Sequence, residues 1–296
     1  MTKGLSLRRF APAKINLFLH VGDKRADGFH NLQSLVVFAD AGDWLTAAPS
    51  TELSLSVSGA FAGGLPHNDD NLVLKSARSL KAWARGAGLS TKGAALTLEK
   101  HLPLASGIGG GSSDAAATLL MLAAHWALPI GHDELERLAL ALGADVPVCL
   151  RTEPVMVGGI GETLSAAPPL PDFAFVLVNP RVEIPTAQVF QALRTRTGIG
   201  QLPLFTGRSA HDLALWLDQL NNDLEAPATL LAPAITRARS ALTACEQCLL
   251  SRMSGSGATC FGLFESLAAA QIAAEDISRS HPDWWIKAAA RYTPPA

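Results

Sequence analysis

The chain has 296 residues, 48% of them apolar and 17% charged, with a formal net charge of −2. That balance describes a compact globular protein and excludes a disordered one. The small net charge makes no electrostatic case for a nucleic-acid or anionic-membrane partner, so any bound anion must be held by local geometry.

In chain order, residues 15–21 alternate. Ile15, Leu17, Leu19 and Val21 share one face, and Lys14, Asn16, Phe18 and His20 share the other, which predicts a strand with one face in a core. Lys14 and Asn16 interrupt the apolar run, so the segment reads as the first strand of a soluble protein rather than a signal peptide. A charged turn ending in Asp27-Gly28 leads to a returning strand at 32–38. A strand at 53–57, a loop at 59–71, a helix at 72–84 and a strand at 94–98 follow. The pattern then predicts helices at 113–128 and 133–142, with Asp133 as N-cap and Gly143 as stop. Residues 146–150 are strand-like, and the Pro-rich stretch 166–172 reads as a domain connection. Beyond it come a strand at 173–178, helices near 186–193, 210–220 and 232–250, a strand at 258–264 and a helix at 266–278. Helices and strands mix without strict alternation, so the expected class is α+β.

The longest apolar run, 119–130, contains His125 and is too short to span a bilayer. The cysteines are Cys149, Cys245, Cys248 and Cys260. Cys245 and Cys248 form a C-x-x-C inside a helical pattern with no second pair to complete a metal site, so they read as small buried hydrophobes. A reduced, cytoplasmic protein fits that usage.

Residues 103–113 read Pro-Leu-Ala-Ser-Gly-Ile-Gly-Gly-Gly-Ser-Ser and open an alanine-rich helix. No Lys-Ser or Lys-Thr follows the last glycine, as a Walker A loop requires. Ser112 also stands where a dinucleotide fingerprint has its third glycine. A glycine-rich loop entering a helix nevertheless offers unpaired N–H donors and the positive end of the helix dipole. A tight strand–helix connection needs fewer glycines, so a phosphate loop is the favoured reading. Ser112 and Ser113 add hydroxyls for phosphate or a metal ion. Asp145, after a helix stop, reads either as a turn or capping aspartate or as a base. Lys14 reads either as an edge-strand guard or as a functional cation. Together they offer a base and a cation to flank a hydroxyl that accepts a phosphoryl group. Phe29-His30 is a surface pair or a ligand contact, and Ser254-Gly-Ser-Gly257 taken alone is more often a turn.

The 103–113 loop resembles the non-Walker ATP-binding loop of the GHMP kinase superfamily. Pro-Ala-Lys-Ile-Asn-Leu-Phe-Leu from residue 12 and Arg-Ala-Asp-Gly-Phe-His-Asn-Leu from residue 25 are similar to further segments of that family. So are Asp-Asn-Leu-Val at 70–73, Leu-Gly-Ala-Asp-Val-Pro at 142–147 and Ser-Gly-Ser-Gly-Ala at 254–258. The resemblance implies a two-domain α+β GHMP kinase fold of mixed sheets and helices, with the active site in the cleft between domains. Residues 1–160 would be the N-terminal ATP-binding domain and 161–296 the C-terminal, substrate-side domain.

It also implies ATP as co-substrate, Mg²⁺, and a small-molecule acceptor. The acceptor it implies would be the 2-hydroxyl of a cytidine diphosphate-linked methylerythritol, in non-mevalonate isoprenoid synthesis. By position Asp145 would be the general base and Lys14 its catalytic partner. Pro103, Leu104, Ala105, Ser106, Gly107, Ile108, Gly109, Gly110, Gly111, Ser112 and Ser113 would wrap the ATP phosphates. Asn71, Leu72 and Lys100 would contact its nucleoside. Asn16, Phe29, His30 and Phe190 would hold the substrate, the last three around the cytosine. The resemblance leaves the side chains that hold Mg²⁺ and the oligomeric state unassigned. Two departures stand out: Phe29 where some members have tyrosine, and Ser106 where glycine or alanine is usual.

Overall fold

The structure is a computed structural model that describes residues 6–66, 68 and 70–294. The described residues group into two compact units. Strands β1 (Leu7–Lys24) and β2 (His30–Ser50) each contribute residues to both. The units are therefore discontinuous along the chain and differ from a single division at residue 160.

The first unit holds the described residues up to Ala13, with Gly42–Leu104 and Gly109–Arg151. Besides its parts of β1 and β2 it contains β3 (Ser54–Ser58), α1 (Leu72–Gly86), β4 (Gly93–Glu99), α2 (Gly110–His125), α3 (His132–Leu142) and α4 (Val146–Arg151). β4 pairs antiparallel with β2, from Trp44 opposite Glu99 to Ser50 opposite Gly93, and parallel with β3. Helix α1 buries Val73, Leu74, Ala77, Leu80 and Ala84, the i, i+3, i+4 face of an amphipathic helix. α2 is buried on nearly every side, as its all-round apolar sequence predicts.

Two local expectations are corrected. Residues 146–150 form helix α4 rather than a strand. Pro147 lies in its first turn, where a missing N–H is harmless. The N-cap of α3 is Gly131, and Asp133 falls inside the first turn, where its carboxylate faces the positive end of the helix.

The second unit holds Lys14–Ala41, Ala105–Ile108 and the described residues from Thr152 onward. β5 (Val155–Gly158) pairs antiparallel with β2, and β6 (Thr163–Ala166) with β5. Next come β7 (Ala174–Asn179), α5 (Thr186–Ala192), α6 (Ala210–Asp218), α7 (Glu225–Leu231) and α8 (Ala234–Thr243). The chain ends with β8 (Leu250–Met253), β9 (Cys260–Phe264), α9 (Leu267–Ser280) and β10 (Trp285–Ala290). The last four strands form an antiparallel sheet in the order β10-β7-β9-β8. β7, flanked on both edges, is buried along its whole length. The helix expected over 232–250 is instead α8, a turn and β8, so the C-x-x-C lies in that turn.

Residues 14–22 of β1 are buried on both faces, not one. Polar side chains on the second face therefore need partners inside the protein. Among the described residues no helix is long and apolar enough to cross a membrane.

A buried guanidinium ties this part of β1 to its neighbours. Arg252 on β8 donates from Nη1 to the Leu17 carbonyl and from Nη2 to the Leu217 and Leu220 carbonyls, each at 2.8 Å. Burial pulls its pKa down to about 10, still charged at neutral pH. Arg252→Met strands three carbonyls and is expected to cost about 3 kcal/mol of stability. A urea midpoint unchanged from wild type would show that the clamp contributes nothing.

Candidate active site

Within the second unit, Lys14 and Asn16 point from the buried stretch of β1, each 5% exposed. The Lys14 backbone N–H donates to the Ile108 carbonyl at 2.9 Å, joining β1 to the middle of the glycine-rich loop. Ser254 makes the second junction. Its hydroxyl accepts from the Asn16 N–H and donates to the Gly107 carbonyl, both at 3.1 Å. Thr259 N–H donates to the Ser106 carbonyl at 3.1 Å. A Cβ at Gly107 would lie 2.5 Å from the Ser254 carbonyl oxygen, and φ there is +75°, so only glycine fits. The Ser254–Gly257 segment is thus the bed of the first half of the loop.

The Asn16 amide donates to the Ser34 hydroxyl at 2.8 Å, while its carbonyl oxygen Oδ1 is buried with no hydrogen-bond donor. His30 stacks on Phe190, with ring centroids 5.7 Å apart and planes 22° from parallel. The Gly22 carbonyl lies 3.0 Å from His30 Nδ1. A carbonyl only accepts, so Nδ1 carries the proton and Nε2 of the neutral ring is an acceptor. Phe29, at the end of the turn, is 58% exposed.

Within the first unit, the second half of the loop becomes the start of α2. Its N-cap, Gly109, adopts the left-handed conformation (φ 62°, ψ 24°), and no side chain caps the helix. The first-turn N–H donors are left for another acceptor. The Ser113 hydroxyl donates to the Pro12 carbonyl at 2.6 Å. Asn71 caps α1: its side chain accepts from Val73 N–H and donates to the Pro66 carbonyl, both at 2.9 Å. The Leu72 side chain lies 3.4 Å from the Cβ position of Gly111, beside the α2 N-terminus. Asp145 occupies the turn between α3 and α4, half-buried, and its carbonyl accepts from Cys149 N–H.

Lys100 is engaged differently from its expected place at a nucleoside. Its ammonium is buried between Asp43 and Asp114, 2.6 Å from each carboxylate, and 3.1 Å from the Cβ position of Gly110. The other Asp43 oxygen accepts from the His101 and Leu102 N–H groups at 2.6 and 2.9 Å. Burial pushes the Asp114 carboxyl up to about 7; the pull of Lys100 opposes this and the charge of Asp43 adds to it. Burial acts against the Lys100 ammonium too, but Asp114 and Asp43 outweigh it and raise its pKa. Sequence reasoning missed both aspartates. The signal for Asp114 was a carboxylate on a helix apolar all round, which has to find a partner.

The cysteines are all free thiols. Cys245 and Cys248 donate to the Ala241 and Leu250 carbonyls, and burial pushes Cys248 up to about 11, which makes it a poor nucleophile. Among the described residues no three His, Cys, Asp or Glu side chains form a metal-binding group.

Residues 71–153 match the N-terminal domain of the GHMP kinases, and residues 204–283 match their C-terminal domain. The fold is that of a GHMP kinase, an α+β enzyme that phosphorylates a small molecule with ATP as co-substrate. A curated 4-diphosphocytidyl-2-C-methyl-D-erythritol kinase of Cereibacter sphaeroides is 52% identical over 279 residues, 94% of this chain and 96% of its own. One of Dinoroseobacter shibae is 50% identical over 280 residues, 94% and 92% of the two chains. A crystal structure of a 4-(cytidine 5'-diphospho)-2C-methyl-D-erythritol kinase superposes with a TM-score of 0.77 at 32% identity, over 97% of this chain and 100% of that one. The chain belongs to the 4-diphosphocytidyl-2-C-methyl-D-erythritol kinase family.

The raised Asp114 pKa gives a signed pH dependence. The folded state holds the Asp114 proton more tightly than the unfolded chain, so this stability is full below the ordinary carboxyl pKa of 3.8 and is lost as pH rises to about 7. Asp114→Asn removes that titration. Unfolding free energies from urea titrations measured against pH should therefore decline less for the variant than for wild type across this window, by up to about 1.4 kcal/mol per pH unit. Parallel curves would mean that Asp114 does not titrate there.

Proposed function

We propose that the chain transfers the γ-phosphoryl group of ATP to the 2-hydroxyl of 4-diphosphocytidyl-2-C-methyl-D-erythritol, giving the 2-phosphate and ADP in non-mevalonate isoprenoid precursor synthesis. The observation that carries this is 52% identity, across 94% of the chain, to a relative named for that kinase. The first unit serves mainly the nucleotide, and the second contributes Asn16, Phe29, His30 and Phe190 to the acceptor. A need for ATP and four free thiols support a cytoplasmic setting.

In this reading residues 103–113 wrap the ATP phosphates, and the uncapped N-terminus of α2 supplies oriented N–H donors. Mg²⁺ bound with the nucleotide would supply neutralisation of the phosphate charge. An ion held mainly by phosphates and water needs one or two protein oxygens, and the Ser112 and Ser113 hydroxyls are those the loop offers. Leu72 packs against the nucleoside, while Asn71 and Lys100, whose side chains are committed inside the protein, shape its pocket.

Asp145 takes the proton of the acceptor hydroxyl as the oxygen attacks. Lys14, its catalytic partner, supplies a cation for the charge developing on the transferred group. The donor-less Oδ1 of Asn16 suits a substrate hydroxyl. Phe29 and Phe190 cover the cytosine, and Nε2 of His30 accepts from its exocyclic amine.

ADP release with this cytidine substrate and ATP tests the whole reading, and its absence would overturn it. Asp145→Asn should keep ATP affinity while kcat falls by about 10³-fold; near-normal turnover would remove Asp145 as the base. His30→Ala should raise KM for the cytidine substrate at least ~tenfold and leave KM for ATP alone. Equal rises in both would take His30 out of the base pocket.

A further inference from the structure

Asp223 is a buried carboxylate, 7% exposed, that the proposed chemistry leaves unused. We infer that it is a positioning residue for the base pocket. It ties the end of β1 to the segment that follows α5, and through them it fixes how His30 presents its ring. The inference rests on the cytidine-substrate reading and deepens it.

Both oxygens of Asp223 are fully engaged. Oδ2 accepts from the Val21 N–H at 2.6 Å and from the Thr197 N–H at 3.0 Å. Oδ1 accepts from the Thr197 hydroxyl at 2.7 Å and from the Asn221 amide at 3.0 Å. A carboxylate with four donors has no acceptor capacity left for a ligand, so Asp223 supports the pocket and does not touch its occupant. All four donors are neutral, and burying a charge on neutral donors alone is costly. What that cost secures is one arrangement of the groups around it, since only a side chain that accepts everywhere suits four converging donors.

The tied segments reach the base pocket at once. Val21 is followed by Gly22, whose carbonyl accepts from His30 Nδ1 at 3.0 Å and so keeps Nε2 as the acceptor that faces a base. Arg196, next to Thr197, donates from Nη1 to the same carbonyl at 3.3 Å. Phe190, stacked on His30, stands on α5, which leads into this segment. The segment lies directly on the strand. Gly198 N–H donates to the Val21 carbonyl at 3.2 Å, and a Cβ at Gly22 would come within 2.7 Å of Ile199 Cγ1. Its far end is held by the Gln33 amide, which donates to the Gly200 carbonyl at 2.9 Å and accepts from its N–H at 3.3 Å. Asp223 is thus the anchor nearest the carbonyl that selects the His30 tautomer. With that carbonyl loosened, Nε2 would carry the proton part of the time and oppose an amine donor on the base.

The test compares wild type with Asp223→Asn and Thr197→Val. D223N keeps the shape but turns N–H groups toward two of the four donors. T197V removes a single hydroxyl from an exposed residue and leaves the fold intact if D223N does not fold. KM for the cytidine substrate should rise about tenfold in D223N and about threefold in T197V, with kcat and KM for ATP within about twofold of wild type. Nitrogen-15 spectra of the His30 ring, taken where the ring is neutral, should show a protonated Nδ1 in wild type and a mixture of tautomers in both variants. A merely structural role would lower the folded fraction, and with it kcat, and leave the tautomer and both KM values alone. That outcome, or wild-type spectra and KM in T197V, would overturn the inference. Wild type that fails to phosphorylate the cytidine substrate would instead overturn the kinase reading, and the His30 spectra would still decide the role of Asp223.

Discussion

An ammonium ion taken out of water between two carboxylates is the constraint that organises the phosphate-loop end of the first unit. Desolvating such a group costs several kcal/mol, and only short, well-satisfied contacts offset that cost. Lys100 has them, at 2.6 Å to Asp43 and 2.6 Å to Asp114. The three residues come from β2, the residue after β4, and α2, so the ion cluster pins a strand, a turn and a helix in one register. Because Asp43 also takes two backbone N–H groups, the turn at His101–Leu102 is fixed as well. The chain then enters the loop from a rigid start, which a site that works by positioning requires.

The second unit reaches the same end with neutral groups. The Ser254 hydroxyl both donates and accepts, bonding Gly107 O and Asn16 N–H at once. Ser254 is in turn held by its own loop: its N–H donates to Thr259 O, and its carbonyl accepts from Gly257 N–H. Asn222 ties that loop down further by donating to the Met253 and Gly255 carbonyls, each at 2.8 Å. Residues 105–108 therefore lie on a bed whose polar groups are satisfied by one another. Their conformation does not depend on a ligand arriving first.

Much of this was legible in the sequence where the signal is local. Helices α1, α2 and α9 announce themselves through apolar spacing, and the loop, Lys14 and Asp145 through motifs that carry their meaning in a few adjacent residues. What stayed hidden is non-local. β5, β6 and β10 are short and mixed in character, and only their partners make them strands. Residues 146–150 look like a strand because valine favours one, yet the turn at Asp145 and the proline after it start a helix. The burial of both faces of β1 depends on what packs against it. The Asp43–Lys100–Asp114 cluster joins positions far apart in sequence. Ser254-Gly-Ser-Gly257 looks like any turn until Gly107 is seen to lie against it.

In the proposed reading, that cluster bears on how the loop would serve an anion without a Walker lysine. The ammonium of Lys100 lies close under the helix start, 3.1 Å from the Cβ position of Gly110, but it is no free cation for phosphate. Two carboxylates already claim it, and with both ionised the cluster carries one net negative charge beneath the proposed anion site. Burial and the charge of Asp43 raise the Asp114 carboxyl to about 7, so partial protonation there offsets part of that excess near neutral pH. Attraction for phosphate would then fall to the loop and α2 backbone N–H groups, which are fixed dipoles already oriented by the fold. A charged lysine tip would add pull but would also have to be held and desolvated. Backbone donors set by Gly107 and Gly109 are placed by the fold itself, and the lysine beneath them fixes where that fold begins.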